Sequence, residues 1–469
     1  MTYRHAAPRH RGAPMAEGAA GTERGAAAAN RRSVGLRVLS NPLWRGGVNY
    51  VANWTRALNS LSAGERPRVY LLPFDDRGEA LAKDFAGLVE GVHPFARAHE
   101  LDLDLVYPAT QIFEAPFGAP WAGWIPDWQC QYLPEMFDDL ELARRRLQYG
   151  ILAMRSPCLV TSSRMALADT RRVVGETVDA LVLPFPAMIG AVDAEEDAAV
   201  FEDLRRRRRL PERFFLIANQ FWKHKNHALV FEALARVRAP DIACVFTGET
   251  EDPRWPGHFG ELKALIAERG IGRRVFILGA LDRAEQLALM RRAAAIVQPS
   301  LFEGWSTVVE EARALGRAAL LSDIPVHREQ NPPMARFFDP HDPEALAHAM
   351  EAAWAAPPPL PDPEEAARAQ ADHVRACARR FLEVAARARE TYRFERHDPA
   401  AILPEVLAGL GDPKDASLEG RLAERTLAGA RGMFRGDREA FDRLIAHCEP
   451  FGGSVVRYAK KWIGPLFIL

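Results

Sequence analysis

Cysteine is scarce in this chain and unpatterned. The five residues, Cys130, Cys158, Cys244, Cys377 and Cys448, form no CxxC pair and have no histidine nearby at metal-ligand spacing. This argues against a disulfide framework and fits reduced, mostly buried thiols of a cytoplasmic protein. Charge of one sign is lacking too: a net charge of −1 over 469 residues gives no global pull toward nucleic acid or an acidic surface. No apolar run approaches the ~20 residues of a transmembrane helix. Residues 1–33 are rich in Ala, Gly and Arg but have no apolar stretch of the signal-peptide kind, so a disordered tail is expected there and no secretory signal. A DxD motif at a strand end is missing as well, since DLD in LDLDLVY follows strand alternation. The expectation is therefore no catalytic metal and no cofactor.

What is present is an ordinary globular composition, 48% hydrophobic and 26% charged, on a chain long enough for two domains. Buried-strand patterns occur at VGLRVLS (34–40), RVYLLPF (68–74), LDLDLVYPA (101–109), CLVTSS (158–163) and ALVLPFP (180–186), with helix-like segments such as DLELARRRLQYGILAMR between them. After residue 213 the alternation restarts with RFFLIANQ, DIACVFTGE, RRVFILGA, AAIVQPS, AALLSDI and ARFFDP. Strands alternating with helices at this spacing predict parallel sheets covered on both faces. The fold expected is α/β, with two doubly wound Rossmann-like domains facing across a cleft and a helical C-terminal extension. The boundaries read as a tail 1–33, a first domain 34–187, a linker 188–212, a second domain 213–393 and an extension 394–469. Arg205 to Arg209 follow Glu202 and Asp203, so this charge run reads as a solvated helix face and no nucleic-acid partner is expected. The final VVRYAKKWIGPLFIL mixes Arg457, Lys460, Lys461 and Trp462 with aliphatics. It reads either as a docked terminal segment or as a peripheral contact at the inner face of a membrane.

The most informative stretch is FEGWSTVVEEARALG, residues 302–316, between two apolar strand patterns. Thr307 followed by Glu310 predicts a capping box at a helix start, and Gly316 predicts its end. Glu311 is rotated about 100° from Glu310 and looks elsewhere. The loop holding Glu303, Gly304 and Ser306 lies at the carboxyl end of a strand, where a cleft is expected. Backbone N–H groups at such a helix start, near Ser306 and Thr307, suit a diphosphate. Carboxylates before that site and inside the helix can hold hydroxyls on either side of it.

PSLFEGWSTVVEEARALGRAALLSDIPVHRE resembles the carboxyl-domain signature of retaining glycosyltransferases of the GT-B fold, family four (glycosyl transferases group 1). The resemblance covers about 35–393 and is strongest over 213–335. It implies that Glu303 lies by the donor sugar and phosphate and that Glu311 binds the ribose of the nucleotide. LIANQFWKHKNHALVFEALARV (216–237) resembles the family segment whose lysine, Lys225 here, holds the donor diphosphate. The usual arginine of that segment is absent, with Asn219 and Gln220 near its place. WRGGVNYVANWTRAL resembles a glycine-rich turn that opens a helix toward the cleft, which implicates Gly46 and Gly47. In GWIPDWQCQYLPEMF the family's histidine position reads Pro126, a residue that neither donates nor titrates. Asp127 reads equally well as an acceptor contact or as a loop aspartate. His327 reads as structural and stays outside the catalytic set.

The resemblance implies transfer of a sugar from a nucleoside-diphosphate sugar to a saccharide or lipid-linked acceptor, with retention of anomeric configuration. Lys225 and Glu303 are the expected catalytic residues. Gly46, Gly47, Asp127, Gly304, Ser306, Thr307 and Glu311 are the expected substrate contacts. The rivals are a nucleotide-sugar epimerase or phosphorylase on the same fold, and a noncatalytic nucleotide-sugar-binding module suggested by Pro126 and the missing arginine.

Overall fold

The computed structural model describes residues 31–38, 45–74, 76–83, 85–111, 118–190, 193–359, 361–393, 406, 409 and 411–433. The reading of residues 1–30 as a tail and the two readings of 455–469 lie outside these residues.

The first sheet has seven strands: β1 (Ser33–Val38), β2 (Arg68–Pro73), β3 (Gly91–Val92), β4 (Leu105–Ala109), β5 (Trp121–Ile125), β6 (Cys158–Thr161) and β7 (Ala180–Val182). Their order is β3-β2-β1-β4-β5-β6-β7, and every pairing is parallel. The second sheet has six: β8 (Phe215–Ala218), β9 (Cys244–Thr247), β10 (Val275–Ile277), β11 (Ala295–Gln298), β12 (Ala319–Ser322) and β13 (Ala335–Phe338). Its order is β10-β9-β8-β11-β12-β13, again parallel throughout. Strands buried on both faces, such as β9, β11 and β12, read as continuous apolar runs, which is why they were legible. In each sheet the order reverses once, between β1 and β4 and between β8 and β11. Ligands of doubly wound sheets bind outside the carboxyl ends of strands at such a switch point.

Two segments pack differently from the expected boundaries. The linker region contains the helix Ala194–Arg208, capped by Asp193. Its Phe201 and Leu204 join the core of the second sheet, and Asp197 receives Arg291 and Arg292, each at 2.5 Å. Its arginines are solvated as expected, with exposed pairs to Glu202, Asp203 and Glu285. The helix Pro363–Thr391 starts beside the second sheet, where Pro361 abuts Gly316, but runs across the first. Val374, Cys377, Ala378, Phe381, Val384, Ala385 and Ala388 recur at helical spacing and bury against Trp54, Tyr107 and the strands of the first domain. The extension contains the helix Leu418–Met433, which packs on the helix Asp139–Arg155. Gly429 permits that approach, because a Cβ there would come within 1.7 Å of the Asp139 carbonyl oxygen.

Candidate functional site

The carboxyl ends of β5, β6, β8, β9 and β11, with Asn49 and Tyr50 of the helix Arg45–Asn59, converge on one cleft of about 390 Å³ between the two domains. Lys225 ends a short 3₁₀ turn, Lys223–Lys225, that follows β8. Asn226 takes the left-handed conformation (φ +56°) and donates to the carbonyls of Pro299 and Pro340. Leu301 N–H bonds the His224 carbonyl at 2.9 Å. These bonds sew the loops after β8 and β11 together and bring Lys225 Nζ to 2.6 Å from Glu303 Oε1.

The same oxygen accepts from Gln298 Nε2 at 2.7 Å and Ser300 Oγ at 2.6 Å. Burial alone would raise the Glu303 carboxyl, but the Lys225 charge and these hydrogen bonds hold it below the usual carboxylate range. Gln298 is itself oriented by Asn219 Nδ2, at 2.8 Å from its Oε1. Asn219 thus supports the glutamate through Gln298. Burial, with Lys225 and Arg254 close by, drives His224 well down, so its ring is neutral. His327 is fully buried, its Nδ1 against the Ser322 carbonyl at 2.9 Å, and burial lowers it also. Its structural reading fits this setting.

The helix after β11 is Thr307–Ala314, so Ser306, rather than Thr307, is its N-cap. The expected capping box does not form. Gln330 takes that position instead: its Oε1 accepts from Ser306 N at 3.2 Å, and its Nε2 donates to Ser306 O and Glu310 Oε1. Glu310 turns away from the helix start to Gln330, Arg313 and His373. Gln330 reaches Ser306 from 24 positions along the chain, which no local motif shows. Gly316 does end the helix, with φ +59° and the Arg317 N–H bonded to Ala312 O. The side-chain cap being absent, the first-turn N–H groups of Thr307 and Val308, both lining the cleft, have no partner within the helix.

Glu311 is 4% exposed, and its carboxylate pairs with Arg283, a cleft residue that the sequence reading missed. Burial raises the Glu311 carboxyl, and Arg283 only partly opposes this. Gly46 and Gly47 lie inside the first turn of the helix Arg45–Asn59, not in a loop before it. That helix sends Asn49 and Tyr50 to the cleft. Tyr50 stacks on Trp124 at 4.5 Å and meets Phe185 edge-on at 4.8 Å, a buried aromatic cluster behind the first-domain wall of the cleft. Asp127 Oδ1 accepts from Gln129 N at 2.9 Å, a loop-capping bond, while the residue still lines the cleft.

The two domains touch around the same loops. Trp305 Nε1 donates to Phe185 O at 3.0 Å, Arg254 Nη1 to Gln129 Oε1 at 3.2 Å, and Phe302 packs against Tyr132. Both Glu329 oxygens accept the Arg164 N–H, at 2.9 and 3.0 Å, across the interface. No cluster of three or more metal-ligating side chains occurs among the described residues.

Two Rossmann-like domains with parallel sheets, facing each other across a cleft at both carboxyl edges, define the GT-B architecture. Residues 201–370 match the family model of glycosyl transferases group 1. The crystal structure of Anabaena HepE with UDP and glucose has a TM-score of 0.53 at 16% identity, covering 77% of this chain and 99% of that one. A glycosyltransferase from Rickettsia africae gives 0.54 at 15%, covering 76% and 99%. Sucrose-phosphate synthase from Thermosynechococcus elongatus gives 0.50 at 17%, covering 76% and 97%. No curated protein matches the chain in sequence.

Proposed function

We propose that this protein transfers a sugar from a nucleoside-diphosphate sugar to a saccharide or lipid-linked acceptor with retention of configuration. The observation that carries the reading is the Lys225–Glu303 pair, at 2.6 Å, beside the start of the helix Thr307–Ala314, where the Thr307 and Val308 N–H groups have no partner within the helix. Lys225 and those N–H groups supply positive potential for a diphosphate whose charge grows as the glycosidic bond breaks. Glu303 belongs to the same strand–loop–helix unit as those groups, so it orients sugar hydroxyls from the donor side. The acceptor hydroxyl then attacks the anomeric carbon from the face the diphosphate leaves, and its proton passes to a departing diphosphate oxygen.

UDP-linked sugars are the first donors to test, because the Anabaena relative was crystallised with UDP and glucose. NMR of the newly formed linkage early in the reaction is the direct measurement. A retained anomer, formed in the presence of EDTA, is expected. An inverted product, or activity lost in EDTA and restored by a divalent metal, would overturn the mechanism. Product formed without any acceptor would point to an epimerase, and donor binding without turnover on a broad acceptor panel to a binding module. We also propose peripheral membrane contact through residues 455–469. Deleting them should abolish co-sedimentation with anionic vesicles, and unchanged binding would end that idea. No helix among the described residues is long and apolar enough to cross a membrane.

A further inference from the structure

Arg283 occupies a costly position. It is the first residue of the helix Arg283–Arg292, whose N-cap Asp282 accepts the Glu285 N–H at 2.8 Å. A cation in a first helical turn opposes the helix dipole, so local helix physics does not favour an arginine there. Its guanidinium reaches across to a helix on another strand unit and pairs with Glu311. The pair is lopsided: the Arg283 side chain is 44% exposed at the cleft and that of Glu311 only 6%. Other nearby charges are committed elsewhere. Glu310 faces Arg313 and His373, Glu303 faces Lys225, and Glu285 faces Arg207. Among the described residues, Arg283 is thus the charged group that acts on Glu311.

A buried carboxylate is a good hydrogen-bond acceptor for a vicinal diol only while it stays ionised and keeps one orientation. Protonation turns one oxygen into a donor and halves what it offers. Removing the sole cation near a buried carboxylate favours the neutral form.

We propose that Arg283 is a positioning residue for the nucleotide: it holds Glu311 ionised and aimed, so that the carboxylate accepts from the ribose hydroxyls of the donor. The proposal rests on the reading of the cleft as a nucleotide-sugar site and adds a residue, a direction of force and a pH dependence to it. Glu311 is the contact, and Arg283 acts through it. The sign follows from the charges. Without Arg283 the Glu311 carboxyl rises further, so the ionised acceptor is lost at a higher pH than in the native protein. Binding by Arg283→Ala should weaken as pH falls in a range where native binding is level.

The test is calorimetric titration of the full chain with UDP and with 2′-deoxy-UDP between pH 8 and pH 5.5. Arg283→Ala should bind UDP about tenfold more weakly at the acid end, the scale of one charge-assisted hydrogen bond. Its preference for UDP over the deoxy analogue should shrink by a similar factor. Arg283→Lys should restore most of both. A uniform loss, with the pH profile and the deoxy preference unchanged, would make Arg283 a direct nucleotide contact and overturn the proposal. So would UDP affinity within about twofold of native throughout, which is under about 0.5 kcal/mol. A second readout needs no nucleotide. The side-chain ¹³C signal of Glu311, assigned by its loss in Glu311→Gln, should titrate at higher pH in Arg283→Ala than in the native protein. An unmoved midpoint overturns the proposal whatever the ligand. A moved midpoint in a protein that binds no UDP keeps the Arg283 effect and instead counts against UDP as the donor nucleotide.

Discussion

Gly304 of the loop after β11 lies directly against Asp127 of the first domain. A Cβ on Gly304 would stand 2.7 Å from the Pro126 carbonyl oxygen and 2.9 Å from Asp127 Cβ. Neither atom is the loose end of a flexible side chain, so an added methyl group must displace the loop or part the domains. The sequence expectation that Gly304 touches substrate therefore needs an addition: its missing side chain lets the two halves meet. Gly304→Ala should lower kcat by about tenfold, which is about 1.4 kcal/mol of transition-state stabilisation. Donor affinity should change little, because the donor is proposed to sit on one domain. Small-angle scattering should show a more open molecule. Unaltered kcat in a correctly folded variant would remove the contact from the working cycle.

Lys225→Ala should cost more. It removes the cation proposed to face the diphosphate, and a loss of roughly a hundredfold in kcat is the scale of one preorganised electrostatic donor. It also leaves Glu303 buried with only neutral donors, a situation that costs about 3–5 kcal/mol when a buried pair is broken. Thermal unfolding at several pH values separates the two effects. The Glu303 carboxyl is depressed in the folded protein. Its stabilising contribution is therefore present at and above the unfolded carboxyl value and is lost as pH falls through the lower folded value. The Tm gap between native protein and Glu303→Gln should stay level from about pH 8 to pH 5 and close only in stronger acid. A gap that closes near neutrality would mean that Glu303 is not held by Lys225 in solution.

Glu311 runs the opposite way. Its carboxyl is raised by burial, so the folded protein binds the proton more readily than the unfolded chain. Such a group opposes folding once pH rises above its folded value, and the opposition vanishes in acid below the unfolded value. Glu311→Gln should accordingly raise Tm at pH 7.5, with the gain shrinking toward about pH 4, while donor KM rises sharply. Arg283, half in solvent, tolerates the loss of its partner. A lower Tm at pH 7.5 would contradict this account of the carboxylate.

Phe381 tests the crossing helix. It is fully buried against Trp54 and Tyr107 at 4.8 and 5.5 Å between ring centroids. Phe381→Ala should cost about 3–5 kcal/mol of stability. Because the cavity opens in the first domain, urea unfolding should lower the midpoint of that domain's transition. An effect on the second domain alone would contradict the packing.

Much of this was legible in the sequence for a specific reason. Strands such as AAIVQPS and DIACVFTGE sit in a sheet covered on both faces, so burial wrote itself as unbroken apolar runs. Glu303 and Lys225, singled out through two separate segments of the family resemblance, meet at 2.6 Å. What stayed hidden depends on residues far apart in the chain. Gln330 caps the helix at Ser306 from 24 positions away, and no local pattern announces it. Arg283 meets Glu311 across 28 positions, and nothing local singles it out. β3, only Gly91–Val92, is too short to show alternation. Helices Ala194–Arg208 and Pro363–Thr391 were assigned by where proline and charge break the chain, whereas their docking is decided by which apolar stripe finds a partner.

The return of the helix Pro363–Thr391 to the first domain means that the chain passes between the two halves twice. Gln370 Nε2 bonds the Ala187 carbonyl at 3.1 Å, so the second passage is tied to the end of the first. Two neighbouring passages behave like two pins on one edge of a door. The halves are free to swing about the line through both, while twisting or sliding would strain one passage against the other. Any opening of the cleft is expected to pivot on that line, parting Glu329 from the Arg164 N–H and Gly304 from Asp127. A single proteolytic cut near residue 190 would leave the halves joined, so a nicked protein should still travel as one particle.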